Sequence, residues 1–163
     1  MITDDGLSSI ADSCVNLSAL SIESCPRIVV DSFNVIANKS LKLRAISLVK
    51  CSLVHDSGIE PAISNLPELA RLKTSMTRIG DEVLREARGR ARPLQVLHFE
   101  KVKGPSEMGY SCIGSMEELK SLKLRLCIGV TGASLAGTSF TKLKEIRHPK
   151  MLLLKRRSFD TAI

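Results

Sequence analysis

The strongest constraint on this chain is a pattern that returns. Leu17-Ser-Ala-Leu20-Ser-Ile22-Glu-Ser-Cys25 reads L-x-x-L-x-L-x-x-C. Leu43, Ile46, Leu48 and Cys51 fill the same slots 26 residues later. Leu94, Leu97, Phe99 and Val102 fill them again, and so do Leu119, Leu122, Leu124 and Cys127. A weaker copy lies at Leu69, Leu72 and Thr74, and a frayed one at Leu143, Ile146 and His148. The opening leucines stand at 17, 43, 69, 94, 119 and 143, in steps of 26, 26, 25, 25 and 24. Six copies held in register demand a structure built from repeated units.

A second ladder runs beside the first. Leu7, Phe33, Ile59, Leu84, Tyr110 and Leu135 follow at steps of 26, 26, 25, 26 and 25. Short polar steps precede three of them: Ile2-Thr-Asp-Asp-Gly-Leu7, Val54-His-Asp-Ser-Gly-Ile59 and Ile79-Gly-Asp-Glu-Val-Leu84. Asp and Thr there can accept from the free N–H groups of a helix start. The apolar spacing beyond is helical, as in Leu7, Ile10 and Ala11. Each unit therefore reads as strand, turn and helix. Alternation sends Leu20 and Ile22 to one side of the strand and Ala19, Ser21 and Glu23 to the other. Neither strand nor helix can bury its apolar face alone, so consecutive units must stack.

Period and consensus together resemble a leucine-rich repeat. The implied fold is an α/β solenoid with parallel strands on the concave face and helices on the convex face. Strands are predicted near 19–22, 45–48, 71–73, 96–99 and 121–124. Helices are predicted near 5–12, 31–38, 57–64, 81–88, 107–114 and 132–137. The array spans 1–147 in about five to six units. It opens in the middle of a repeat, which reads as a piece of a longer array or a truncated product. An irregular basic tail is expected over 148–163. Cys25, Cys51 and Cys127 stand where the chain leaves a strand, and are expected buried, reduced and unpaired.

Composition narrows the function. The chain has 163 residues, 44% hydrophobic but only 3% aromatic, so Leu and Ile must do the packing. No apolar run is long enough for a membrane helix, and no signal region opens the chain. Five cysteines form no C-x-x-C pair, which points to an intracellular protein, nuclear or cytoplasmic. Charge is uneven. Residues 1–65 hold 5 Lys/Arg and 7 Asp/Glu, whereas residues 66–163 hold 19 and 10. The second half carries the whole excess of +7 and suits an acidic partner.

Catalytic motifs are missing. His55, His98 and His148 fall in separate repeats, without a Cys, His or Asp at metal-ligand spacing. There is no H-E-x-x-H or G-x-S-x-G, so neither enzyme activity nor a cofactor is expected. Gly132 to Thr138 carries two glycines but lacks a phosphate-loop lysine. Arg85-Glu-Ala-Arg-Gly-Arg-Ala-Arg92 has no interleaved aromatics for base stacking. It reads as the solvated end of a helix stopped by Gly89 rather than a nucleic-acid tract.

The form L-x-x-L-x-L-x-x-C followed by I-T-D-x-x-L resembles the cysteine-containing leucine-rich repeats of F-box proteins, the substrate receptors of cullin-based ubiquitin ligases. Leu20 to Ile28, Leu43 to Cys51 and the shortened unit with Ile79-Gly-Asp81 are similar to plant F-box proteins that bind ethylene-response transcription factors. The resemblance implies a nuclear substrate-recognition array whose target is a transcription factor. Docking to the ligase adaptor would need an F-box upstream of Met1. The alternative is a stand-alone interaction scaffold that never meets a ligase.

Alternation also locates a binding surface. It sends Arg71, Lys73, Lys123, Arg125 and Arg147 to the concave face, with His98 between them. The same column in the first half holds Ala19, Ser21, Ala45 and Ser47, which are small and uncharged. The expectation is a basic column that docks an acidic segment of the target protein.

Overall fold

The computed structural model describes residues 2–28, 31–89, 94–135 and 140–147. Six strands pair side by side, all parallel, in sequence order. They are β1 (Ala19–Glu23), β2 (Ala45–Val49), β3 (Arg71–Ser75), β4 (Val96–Glu100), β5 (Ser121–Arg125) and β6 (Glu145–Arg147). Between them lie α1 (Asp4–Ser13, before β1), α2 (Asp31–Lys39), α3 (Asp56–Asn65), α4 (Asp81–Gly89) and α5 (Glu107–Ser111). The last turns into a 3₁₀ helix over Cys112–Ser115.

The register is set by the repeat. Leu20, Ile46, Leu72, Leu97, Leu122 and Ile146 stand opposite one another across all six strands. Ile22, Leu48, Thr74, Phe99 and Leu124 form a second inward row. The helices cover these rows from behind with Leu7, Phe33, Ile59, Leu84 and Tyr110, every one fully buried. Successive helices pack on each other from α1 through α4 to α5. Neighbouring strands sit about 4.8 Å apart, whereas packed helices need about 8–10 Å. A stack with both must curve with its strands inside, so the sheet is the concave face and the helices the convex one. This is the leucine-rich repeat solenoid expected from the period.

Each strand exit repeats one backbone device. Ser24, Lys50, Met76, Lys101 and Leu126 all take positive φ, between 53° and 56°. None is glycine, so each position carries a steric cost of about 1–2 kcal/mol. The return is continuity. Ser24, Lys50, Met76 and Lys101 donate their N–H groups to Val49, Ser75, Glu100 and Arg125 of the next repeat, at 2.8–3.0 Å. The hydrogen-bond ladder thus runs one residue past the strand before the chain turns.

The helix starts correct an expectation. Asp56 and Asp81 do not cap their own helices; they reach across to the next repeat. Gly80 N–H donates to Asp56 Oδ1 at 2.5 Å and Glu82 N–H to Asp56 Oδ2 at 3.1 Å. Ser106 donates both its N–H and its hydroxyl to Asp81, each at 2.7 Å. The short step between ladders places each carboxylate beside the following turn rather than its own.

Two more differences concern the end of the array. The helix expected over 132–137 is a turn across 132–135, and 136–137 lie outside the described residues. The turn is closed by reciprocal bonds between Thr131 and Ser134: Thr131 N–H donates to Ser134 Oγ at 3.0 Å, and Ser134 N–H to Thr131 Oγ1 at 3.2 Å. This arrangement matches the start of a helix. The frayed copy at Leu143 still yields strand β6, which pairs with β5. The basic tail at 148–163 lies outside the described residues.

The cysteines divide. Cys51 is fully buried, but Cys25 and Cys127 are half-buried, which corrects the expectation that all three are buried. The Cys51 thiol sits between the carbonyls of Ile22 (3.8 Å) and Val49 (3.5 Å), the first belonging to the preceding repeat. Among the described residues, β1 has no earlier strand beside it, and the Cys25 thiol that follows it reaches only Glu23 O at 3.3 Å. Cys127 follows β5, and its thiol reaches the carbonyls of Phe99 at 3.5 Å and Arg125 at 3.6 Å. All five cysteines are unpaired.

Candidate functional site

Outward residues of the six strands form three rows along the concave face. The middle row is Ser21, Ser47, Lys73, His98, Lys123 and Arg147. Beside it runs Ala19, Ala45, Arg71, Val96, Ser121 and Glu145. On its other side are Glu23, Val49, Ser75, Glu100 and Arg125. All six residues expected on this face are there. They do not form one column, however: Arg71 and Arg125 flank the row that holds Lys73, His98, Lys123 and Arg147.

Carboxylates lie between the cations. Glu145 stands opposite Ser121 in the pairing of β5 and β6. It forms ion pairs with Arg147 Nε at 2.6 Å and Lys123 Nζ at 3.5 Å. Ser121 hydroxyl donates to Glu145 Oε2 at 3.0 Å. Across the next strand pair, Arg125 meets Glu100 at 3.6 Å. The same alternation that placed the cations points Glu145 and Glu100 outward, so the signal was in the sequence. Arg71 and Lys73 are exposed and have no carboxylate within ion-pair distance among the described residues. The free positive charge thus gathers on β3, while that on β5 and β6 is largely answered from within.

His98 completes a chain of bonds. Its Nε2 lies 2.9 Å from Ser121 Oγ. The Ser121 proton is already given to the Glu145 carboxylate, so the His98 ring must donate at Nε2. Burial pushes the His98 pKa down to about 4, and the charges of Lys123 and Lys73 push the same way. His98 is therefore neutral at neutral pH. Hydrogen bonding from Ser121, then Lys123 and Arg147, holds the Glu145 carboxyl below its ordinary range.

Ser, His and Glu together invite comparison with a nucleophilic triad, but the order is wrong. In a triad the imidazole sits between hydroxyl and carboxylate and takes the hydroxyl proton. Here the hydroxyl sits in the middle, and its proton points at a carboxylate. The imidazole has no proton to receive. The arrangement can orient and hold a carboxylate, not generate an alkoxide. Among the described residues, no group of three or more His, Cys, Asp or Glu is placed to hold a metal ion. No helix among them is long and apolar enough to cross a membrane.

The arginine tract is separate from this face. Arg85 and Arg88 lie on α4, on the convex side, with Arg85 paired to Glu82 one turn back. The described part of α4 runs to Gly89. Arg90 and Arg92 lie outside the described residues.

No family model and no curated protein matches the sequence. Among solved structures, the chain is similar to the tropomodulin C-terminal domain of Caenorhabditis elegans, with a TM-score of 0.52 at 15% identity. The match covers 81% of this chain and 84% of that one. At this identity the likeness speaks to the fold alone: two chains with few residues in common share the same stacked strand-and-helix architecture.

Proposed function

We propose that this chain is a protein-interaction module whose concave sheet face binds an acidic segment of a partner protein. The observation that carries the reading is the set of cations on one half of that face, with Arg71 and Lys73 exposed and unanswered. Exposed Lys and Arg are ordinary on any surface. Their concentration on one half of a preformed concave sheet, beside an almost uncharged half, favours a docking role. Among the described residues no Phe, Tyr or Trp stands at an outward strand position, so base stacking lacks its main platform there. A bonded chain in which serine gives its proton to a carboxylate suits binding rather than turnover.

A finer reading rests on the repeat form. The cysteine slot and the I-T-D step support a substrate-recognition array of an F-box subunit in a cullin-based ubiquitin ligase, with a transcription factor as target. Adaptor docking then depends on an F-box upstream of Met1. Capture of adaptor and cullin by the gene product carrying that upstream segment tests it. Failure of such capture favours the stand-alone scaffold. The surface itself is tested by reversing Lys73 and Lys123 to Glu. Association with a confirmed target should slow at low salt and lose its salt dependence. An unchanged association rate removes the basic face as the binding site.

A further inference from the structure

Resting on that reading of the sheet face, we infer that Glu145 is an internal occupant of a carboxylate site built for the partner's acidic segment, and that it limits how far along the face the segment can bind. The site has three donors from two strands. Ser121 hydroxyl donates at 3.0 Å, Arg147 Nε lies at 2.6 Å and Lys123 Nζ at 3.5 Å. Behind them His98 Nε2, 2.9 Å from Ser121 Oγ, turns the serine proton toward the carboxylate. His98 is a positioning residue, because it touches Ser121 and not Glu145.

The occupant identifies the ligand class. A planar carboxylate already sits there and satisfies a hydroxyl, an ammonium and a guanidinium together. Glu145 belongs to β6, a strand of three residues at the end of the sheet. Its hold on Lys123 and Arg147 is readily exchanged, since both pairs are partly exposed to water and such pairs are weak. An incoming acidic peptide meets Arg71 and Lys73 first. To continue along the row it must put its own carboxylate where Glu145 lies. Glu145 thereby confines short acidic segments to β3, and admits to β5 and β6 only those with a carboxylate to replace its own.

The test uses the full chain and a labelled oligoglutamate peptide as probe. Glu145→Gln keeps an oxygen for Ser121 but releases Lys123 and Arg147. It should raise affinity about 3–10-fold at low salt and steepen the salt dependence. Adding Ser121→Ala to Glu145→Gln should reverse most of the gain, because the donor is lost. Lys73→Glu should weaken binding in either background. Equal affinity of wild type and Glu145→Gln, with Lys73→Glu still weakening, overturns the role of Glu145 and leaves the face as an acid-binding surface. No effect of Lys73→Glu overturns the surface as well. A larger gain for a single-stranded oligonucleotide than for the peptide overturns the carboxylate assignment.

Discussion

Thr74 stands opposite Phe99 in the parallel register of β3 and β4, and both side chains are buried. The other members of that row are Ile22, Leu48, Phe99 and Leu124. Thr74 alone brings a hydroxyl into it, and that Oγ1 is buried without a hydrogen-bond partner. An unmet buried hydroxyl costs about 1–3 kcal/mol. Thr74→Val keeps the shape and removes the polar atom. It should stabilise the array by about 1 kcal/mol, seen as a higher urea midpoint at unchanged slope. A lower midpoint would mean that the hydroxyl has a partner after all.

Asp81 ties two repeats together. Its carboxylate takes both Ser106 donors at 2.7 Å. Gly109 passes so close that an added Cβ would fall 2.0 Å from Asp81 Oδ1. Asp81→Ala should cost about 1–2 kcal/mol, the range for a lost cap. Gly109→Ala should cost as much or more, because it drives the carboxylate off Ser106. The two effects should not add: in Asp81→Ala the carboxylate is gone, and the Gly109→Ala methyl meets only the residue 81 backbone, with its Cα at 3.3 Å. Additive losses in a double-mutant cycle would show that the contact is not shared.

Thiol reactivity should rank the cysteines by cover. Cys14 is exposed, Cys25 and Cys127 are half-buried, and Cys51 is closed off. Burial raises the thiol pKa of Cys51 and of Cys127 above the ordinary value, which lowers the reactive thiolate fraction. In native protein Cys14 should label first and Cys51 only on unfolding. Labelling of Cys51 as fast as Cys14 would contradict its burial. Cys51→Ser places a stronger dipole in the same slot and should cost about 1–3 kcal/mol if the hydroxyl goes unmet.

The parts of the fold that were legible in the sequence are those where one local rule repeats. Leucine spacing set the strands, and alternation alone put Leu72 inward and Lys73 outward. What escaped depends on neighbours. Asp56 and Asp81 look like caps of their own helices until stacking brings the next turn within reach. Cys25 looks identical to Cys51 until one sees that, among the described residues, β1 has no preceding strand to cover it. Ser24, Lys50, Met76, Lys101 and Leu126 share a left-handed backbone with no glycine to announce it; only their common step along the ladder could have raised the question. Glu145 lies on the same strand as Arg147. It obeys the alternation that named Arg147, and it neutralises part of the surface that the cations alone suggested.

His98 gives the array a pH dependence with a definite sign. In the unfolded chain its imidazole titrates near 6.5, and in the folded chain near 4, chiefly because of burial, with Lys123 and Lys73 adding to it. The folded-state pKa is depressed, so the unfolded state takes up the proton first as pH falls. The contribution of His98 to stability is therefore complete above pH 6.5 and is lost progressively as pH drops toward 4. Carboxylates titrate near the lower end of that window, so the comparison must be with a variant. His98→Gln can still donate to Ser121 and does not titrate. Between pH 7 and pH 5 the wild type should lose more stability than His98→Gln, and the two curves should run parallel above pH 7. In a proton NMR titration of the folded protein, the His98 ring should remain neutral at pH 5.5. A midpoint near 6.5 for that ring, or identical pH profiles for the two proteins, would show that His98 is neither covered nor held against Ser121.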